Sequence, residues 1–79
     1  MDEQRTITFG ERAVGITFNP SGDVPTQQIK ERAAALIDTL NDYRNTTEDG
    51  EQKRMFSVAI TEVQTGQMWG VKAATWRLK

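Results

Sequence analysis

Two stretches of helical periodicity joined by one short turn restrict this chain more than anything else in its sequence. From Thr26 the apolar residues Ile29, Ala33, Leu36, Ile37, Leu40 and Tyr43 recur at steps of three and four, which is the stripe of an amphipathic helix. Pro25 suits its first turn. Lys30, Glu31, Arg32, Asp38 and Asp42 fall largely off the stripe, as a solvated face does. The helix is expected to stop in "RNTTEDG" (Arg44 to Gly50), where Asn45, two threonines, Asp49 and Gly50 supply turn chemistry. So short a link folds the next helix back antiparallel to the first.

The second segment runs from about Glu51 to Arg77, with Met55, Ala59, Glu62, Gly66, Trp69, Ala73 and Trp76 at alternating steps of four and three. One of these seam positions, Glu62, is an acid. Phe56, Ile60, Val63, Met68 and Val71 form a second apolar row lying partly on another face, so a single partner helix cannot cover everything this helix offers. Ala59, Gly66, Gly70, Ala73 and Ala74 would let neighbouring helices approach closely. Gly66 and Gly70 each cost about 1 kcal/mol of helix propensity relative to alanine, which is consistent with a packing reason for them.

Before Pro25 the pattern is weaker. "RTITF" and "VGITF" would alternate as two short strands around a turn at Gly10 to Ala13, but a lone two-stranded ribbon is marginal in water. The preferred reading is an arm with one helical turn near "GERAV", packed on the hairpin or on a neighbouring chain. The expected fold is thus mainly α: an antiparallel two-helix hairpin with an N-terminal arm, assembled into a homo-oligomer. Residues 1–24 form the arm and a loop, and 25–79 the hairpin, within one domain.

Composition sharpens this. A 79-residue chain without cysteine buries only part of its surface and has no disulfide to compensate, so self-association is the expected source of stability. Histidine is absent as well, which removes zinc fingers, His-dependent triads and most transition-metal sites; no metal and no cofactor is expected. The apolar runs fall far short of the roughly 20 residues that span a bilayer, and "MDEQR" lacks a signal peptide's features. The expectation is a soluble protein of the cytoplasm. Ten Lys/Arg against eleven Asp/Glu leave a net charge of −1, too little positive field for a long nucleic acid or an anionic membrane, but no bar to a small anion in a local pocket.

Catalysis would need a nucleophile beside a base, and no such grouping stands out. Thr61 and Glu62 are adjacent, and on a helix adjacent side chains diverge. Glu62 reads as an acid hydrogen-bonded to a neighbouring side chain. The stretch "VGITFNPSGDVPTQQIK" (Val14 to Lys30) is more suggestive, because it passes from an apolar segment through a Pro/Gly loop into a helix start, where free N–H groups attract anions. Phe18 is either a core or interface aromatic or a stacking platform for a base. Asn19, Pro20 and Gly22 are ordinary turn residues on the plainer view. Lys30, Arg32, Lys53, Arg54, Lys72 and Arg77 are ordinarily solvent-facing charges.

The segment "RMFSVAITEVQTGQMWGVKAATW" (Arg54 to Trp76) resembles the signature helix of the phage anti-CBASS nucleotide-sponge family, whose hairpin also forms part of certain anti-Thoeris sponges. The matching positions are Arg54, Ser57, Ala59, Thr61, Met68, Trp69 and Ala73, preceded by an aromatic-x-Pro loop and a helix like those at Phe18 to Tyr43. This chain has "FNPS" where the family often has tyrosine and a His-Pro-Pro-like loop, and "VQTG" where it often has Leu-Glu-Glu-Ala. The resemblance implies a homohexamer of hairpins that sequesters cyclic oligonucleotide second messengers in the host cell cytoplasm without cleaving them. It further implies two kinds of site. One is for cyclic dinucleotides and falls on Phe18 and Lys30, with Asn19 and Pro20 between them; the other is for cyclic trinucleotides near a three-fold axis, for which Arg54 and Thr61 are nominated.

Composition alone fits a second class equally well, a small helical oligomer that binds a host protein through its second apolar face. A hydrolase of such messengers is disfavoured, because no histidine, cysteine or carboxylate cluster is present to activate water.

Overall fold

The computed structural model describes residues 6–20 and 22–76. It contains three helices in chain order, α1 (Phe9–Val14), α2 (Val24–Thr46) and α3 (Gly50–Thr75), and no strand among the described residues. The expected extension of the second helix to Arg77, the reading of "MDEQR" and Ser21 of the loop lie outside the described residues.

Each helix begins where a short polar side chain can satisfy free N–H groups. Thr8 and Glu11 form a reciprocal box in which the Glu11 N–H donates to Thr8 Oγ1 and the Thr8 N–H donates to Glu11 Oε1, both at 3.0 Å. That box, closed by Gly15 in the left-handed region at φ 64°, makes the arm a helix rather than a ribbon. Asp23 caps α2 by accepting from the Thr26 N–H at 3.0 Å and the Thr26 hydroxyl at 2.7 Å. Asp49 caps α3 by accepting from the N–H groups of Glu51 and Gln52. The hairpin link is therefore only Thr47 to Asp49.

Val14, Ala34, Ile37 and Ile60 form the core, flanked by Ala13, Ile16, Ala33, Leu40 and Val63. All three helices contribute, because α1 lies against both arms of the hairpin. Gly10 makes this approach possible: a Cβ there would overlap the Ala34 carbonyl. Its N–H donates to Asp38 Oδ1 at 2.6 Å, so Asp38 is not on a purely solvated face but holds α1 to α2. At the far end, Arg44 donates to Ser57 Oγ at 3.0 Å and Asn41 Oδ1 at 2.6 Å, and its guanidinium lies 5.5 Å from the Phe9 ring centroid, linking all three helices.

The rows on α3 are distributed otherwise than their spacing suggests. Ile60 is buried, Phe56, Val63 and Val71 are half-buried, and Gln67 joins them inside. The regular four-three row faces outward: Met55, Glu62, Gly66, Trp69, Ala73 and Trp76 are exposed, and so is Met68 of the other row. Glu62 on that row is thus accounted for as an exposed acid. On α2, Ala34 is buried instead of Leu36, which is 48% exposed, and Tyr43 is 60% exposed with its ring stacked beside Phe56. The physical reason is the molecule's thinness. Its Cα extents are 45 × 37 × 12 Å, about one helix diameter deep, so the chain forms a single layer and each helix is covered along its sides but not across its face.

Candidate functional site

The loop between α1 and α2 is built from backbone bonds and one buried cation. Gly15 turns the chain out of α1, and the Phe18 N–H donates to the Gly15 carbonyl at 2.9 Å. Beyond it Asn19 braces the loop against the start of α2: its amide donates to the Asp23 carbonyl at 3.1 Å and to Gln27 Oε1 at 3.3 Å, while its Oδ1 accepts from the Asp23 N–H at 3.3 Å. Asn19 O accepts from the Gly22 N–H at 3.0 Å. Pro20 lies exposed at the tip.

Lys30 enters from α2 beneath this loop. It is only 5% exposed, contrary to the solvent-facing position ordinarily expected of lysine. Its row explains why, since Thr26, Lys30, Ala34 and Ile37 are the buried residues of α2 and follow one another at helical spacing. A buried ammonium requires acceptors. Lys30 Nζ donates to the Gly15 carbonyl at 2.9 Å and to the Phe18 carbonyl, and it lies 5.4 Å from the Phe18 ring centroid, within range of a cation–π attraction. Phe18 itself is 71% exposed, so it is neither core nor, within one chain, an interface aromatic.

Arg54 and Thr61 are both exposed on α3. Arg54 pairs with Glu51 through Nη2–Oε2 at 2.6 Å and Nε–Oε1 at 3.1 Å, which holds the Glu51 carboxyl below its ordinary pKa and the guanidinium above its own. Two helical turns separate Arg54 from Thr61, roughly 10 Å along the axis. The structure brings Phe18, Asn19, Pro20 and Lys30 into one loop and leaves Arg54 and Thr61 as separate points on another helix.

Sequence reasoning missed Asp23 and Gln27, which brace Asn19. The Asp23-x-x-Thr26 cap spacing was the signal that could have found the first of them. A further feature is the open notch lined by Trp69, Lys72, Ala73 and Trp76 on the outer face of α3, where Lys72 Nζ lies 5.9 Å from the Trp76 ring. Among the described residues there is no cluster of acids able to hold a metal ion, and no helix is long and apolar enough to cross a membrane.

Residues 11–75 match the family model described as Acb2/Tad1, hairpin domain. Comparison with curated proteins and with solved structures yields no match. The matched span begins inside α1, takes in the whole Phe18 loop and ends on the last residue of α3, and so contains all but the final residue, Trp76, of the Arg54 to Trp76 segment that carried the sequence resemblance. The family is that of the phage anti-CBASS and anti-Thoeris sponges, which bind cyclic nucleotides and are not enzymes. With most of its length inside that match, the chain belongs to the Acb2/Tad1 hairpin-domain family.

Proposed function

We propose that this chain sequesters cyclic oligonucleotide second messengers, both cyclic di- and trinucleotides, in the host cytoplasm. It holds them intact and thereby withholds them from the defence effectors they activate. The observation that carries this reading is Phe18, an aromatic ring 71% exposed on a loop braced at both ends, within the domain that defines the family. A cyclic dinucleotide presents flat bases and compact phosphates. Such a ligand calls for an aromatic face, positive charge and polar loop groups, and Phe18, Asn19, Pro20 and Lys30 supply these together.

Self-association completes the design. A layer one helix thick with Met55, Val58, Met68, Trp69 and Trp76 all exposed has no second layer to bury that face, and packed domains need one. Further copies of the chain supply it, as a hexamer. Around a symmetry axis of that assembly several copies of Arg54 and Thr61 converge, and each guanidinium offers forked donors to a phosphate of a cyclic trinucleotide. Sequestration needs no nucleophile.

The test is incubation with a cyclic di- or trinucleotide, removal of free ligand and heat denaturation. Recovery of intact ligand supports sequestration. Recovery of cleavage products points to a hydrolase, and failure to retain any ligand points to a protein-interaction module; either result overturns the proposal.

A further inference from the structure

We infer that Glu51 is a positioning residue for the trinucleotide site: it grips the Arg54 guanidinium by one edge and so presents another edge to a phosphate. The inference rests on the reading above in which Arg54 meets a cyclic trinucleotide. A guanidinium carries five N–H groups arranged as forks. Glu51 occupies the side fork, its carboxylate accepting from Arg54 Nε at 3.1 Å and from Nη2 at 2.6 Å. The outer fork, formed by Nη1 and the second Nη2 proton, meets no acceptor among the described residues, and its two parallel N–H groups match two oxygens of one phosphate. A phosphate therefore joins the pair without displacing the carboxylate.

Both side chains of the pair are well exposed, 64% for Arg54 and 61% for Glu51. An unpaired arginine in that position samples many rotamers, and ordering it opposes binding. Held at two points from one turn earlier on the helix, the guanidinium has part of that order before the ligand arrives. Lys53, the preceding residue, donates instead to the Arg44 carbonyl at 3.2 Å, which draws its ammonium toward the hairpin link and leaves Arg54 as the forked donor on this part of α3. As an acid in the first turn of α3, Glu51 also complements the helix dipole, but that role needs only a charge near the N-terminus and not a two-point grip on an arginine. The carboxylate's own charge opposes an anionic ligand. It sits on a different edge of the guanidinium from the outer fork and is open to water, where that repulsion is weak and screened, so the gain in order is the larger effect.

The experiment uses the full-length protein with cyclic triadenylate as probe. Wild type and Arg54→Ala are titrated first: a wild type that binds no trinucleotide, or an Arg54→Ala that binds it undiminished, removes the reading of Arg54 and this inference with it, before any change at Glu51 is made. Calorimetry then compares the wild type with Glu51→Gln, which removes the charge and breaks the side fork, and with Glu51→Asp, which keeps the charge and shortens the reach. Both are expected to lose roughly five- to tenfold in trinucleotide affinity through lost pre-organisation, while dinucleotide affinity and Tm stay near wild type. A bystander carboxylate gives the opposite sign, because removing a negative charge beside an anionic ligand raises affinity. Affinity at or above wild type in Glu51→Gln, or wild-type affinity in Glu51→Asp, overturns the positioning role while leaving sequestration intact. Nuclear magnetic resonance of the wild type supplies a check that needs no variant: the Arg54 Nε–H, slowed in its exchange with water by Glu51, is expected to stay slowed on saturation with ligand. Its release on binding would mean that the phosphate replaces the carboxylate, which makes Glu51 a competitor and overturns the inference.

Discussion

Phe18 on the loop and the tryptophans on α3 are almost equally exposed, at 71% for Phe18, 67% for Trp69 and 66% for Trp76, yet their surroundings differ. Phe18 stands on a substructure built to hold it: a buried cation beneath, two carbonyls engaged, and an asparagine tying the loop to the next helix. Trp69 and Trp76 project from a plain helical face beside Ala73, with Lys72 leaning on the Trp76 ring. A ring whose position is fixed by its own chain suits a small ligand, which has few contacts with which to order it. A row of large apolar side chains along an unpartnered helix suits a macromolecular surface, which has area enough to bury them all.

The largest expected effect tests the α3 side of this contrast. Trp69→Ala is expected to dissociate or unfold the assembly, with a loss on the order of 3–5 kcal/mol if the ring is fully enclosed between copies. Light scattering at micromolar concentration reads it directly, and a wild type that is already a monomer of about one chain mass would break the contrast outright.

Next comes the arm. Gly10→Ala forces a methyl group against the Ala34 carbonyl and is expected to cost about 1–3 kcal/mol, as overpacking does. Thermal melting checks it. An unchanged Tm would show that α1 does not bear on the hairpin as described, and that the loop is less firmly anchored than the contrast requires.

The loop itself is probed by ligand. Phe18→Ala is expected to weaken cyclic dinucleotide binding by roughly 1–3 kcal/mol, the scale of a lost base–aromatic stack, while the melting curve stays close to wild type because the ring is so exposed. Arg54→Ala is expected to show the reverse selectivity, abolishing trinucleotide binding and leaving dinucleotide binding within a few-fold. Titration of both variants with both ligands sharpens the contrast into separate sites; equal loss of both ligands in either variant would merge them.

The smallest effect concerns Glu51. Because Arg54 lowers its pKa in the folded chain, its contribution is present above the ordinary carboxylate pKa and fades as pH falls through the lowered value. The pair is fully exposed, so the change is slight. A carbon-detected titration of the Glu51 carboxyl should show the low midpoint in wild type and its return to the ordinary value in Arg54→Ala.

What the sequence disclosed depended on whether side-chain identity carried the information. The apolar periodicity of α2 and α3 and the turn residues Asn45 to Gly50 between them are written in residue types, and with them the hairpin was legible; the caps at Thr8 and Asp23 were written there too but went unread. The inward face of α3 was not, because the most regular row, Met55 to Trp76, also contains the largest aromatics, and regular spacing of such residues is produced equally by an intermolecular surface. Lys30 escaped for a different reason. Its partners are main-chain carbonyls of Gly15 and Phe18, and a carbonyl leaves no mark on sequence. It lies at helical spacing from Ala34 and Ile37, but the stripe read from the sequence ran through Ile29 and Ala33 and left Lys30 off it, in keeping with the general habit of lysines to face water. Asp38 was hidden likewise, since what it binds is the N–H of Gly10.

The short link from Thr47 to Asp49 also bears on the order in which the molecule comes into being. Helices joined by so brief a connection meet with little loop to close, and chains dominated by such near-neighbour contacts fold fast. Meeting another copy, by contrast, waits on concentration. On the proposed assembly, each newly made chain therefore passes through an interval as a finished hairpin with Met68, Trp69 and Trp76 still facing water. During that interval the face proposed for assembly also invites indiscriminate adhesion. Yield on expression should accordingly depend on how quickly the local concentration of the chain rises relative to that of other sticky surfaces.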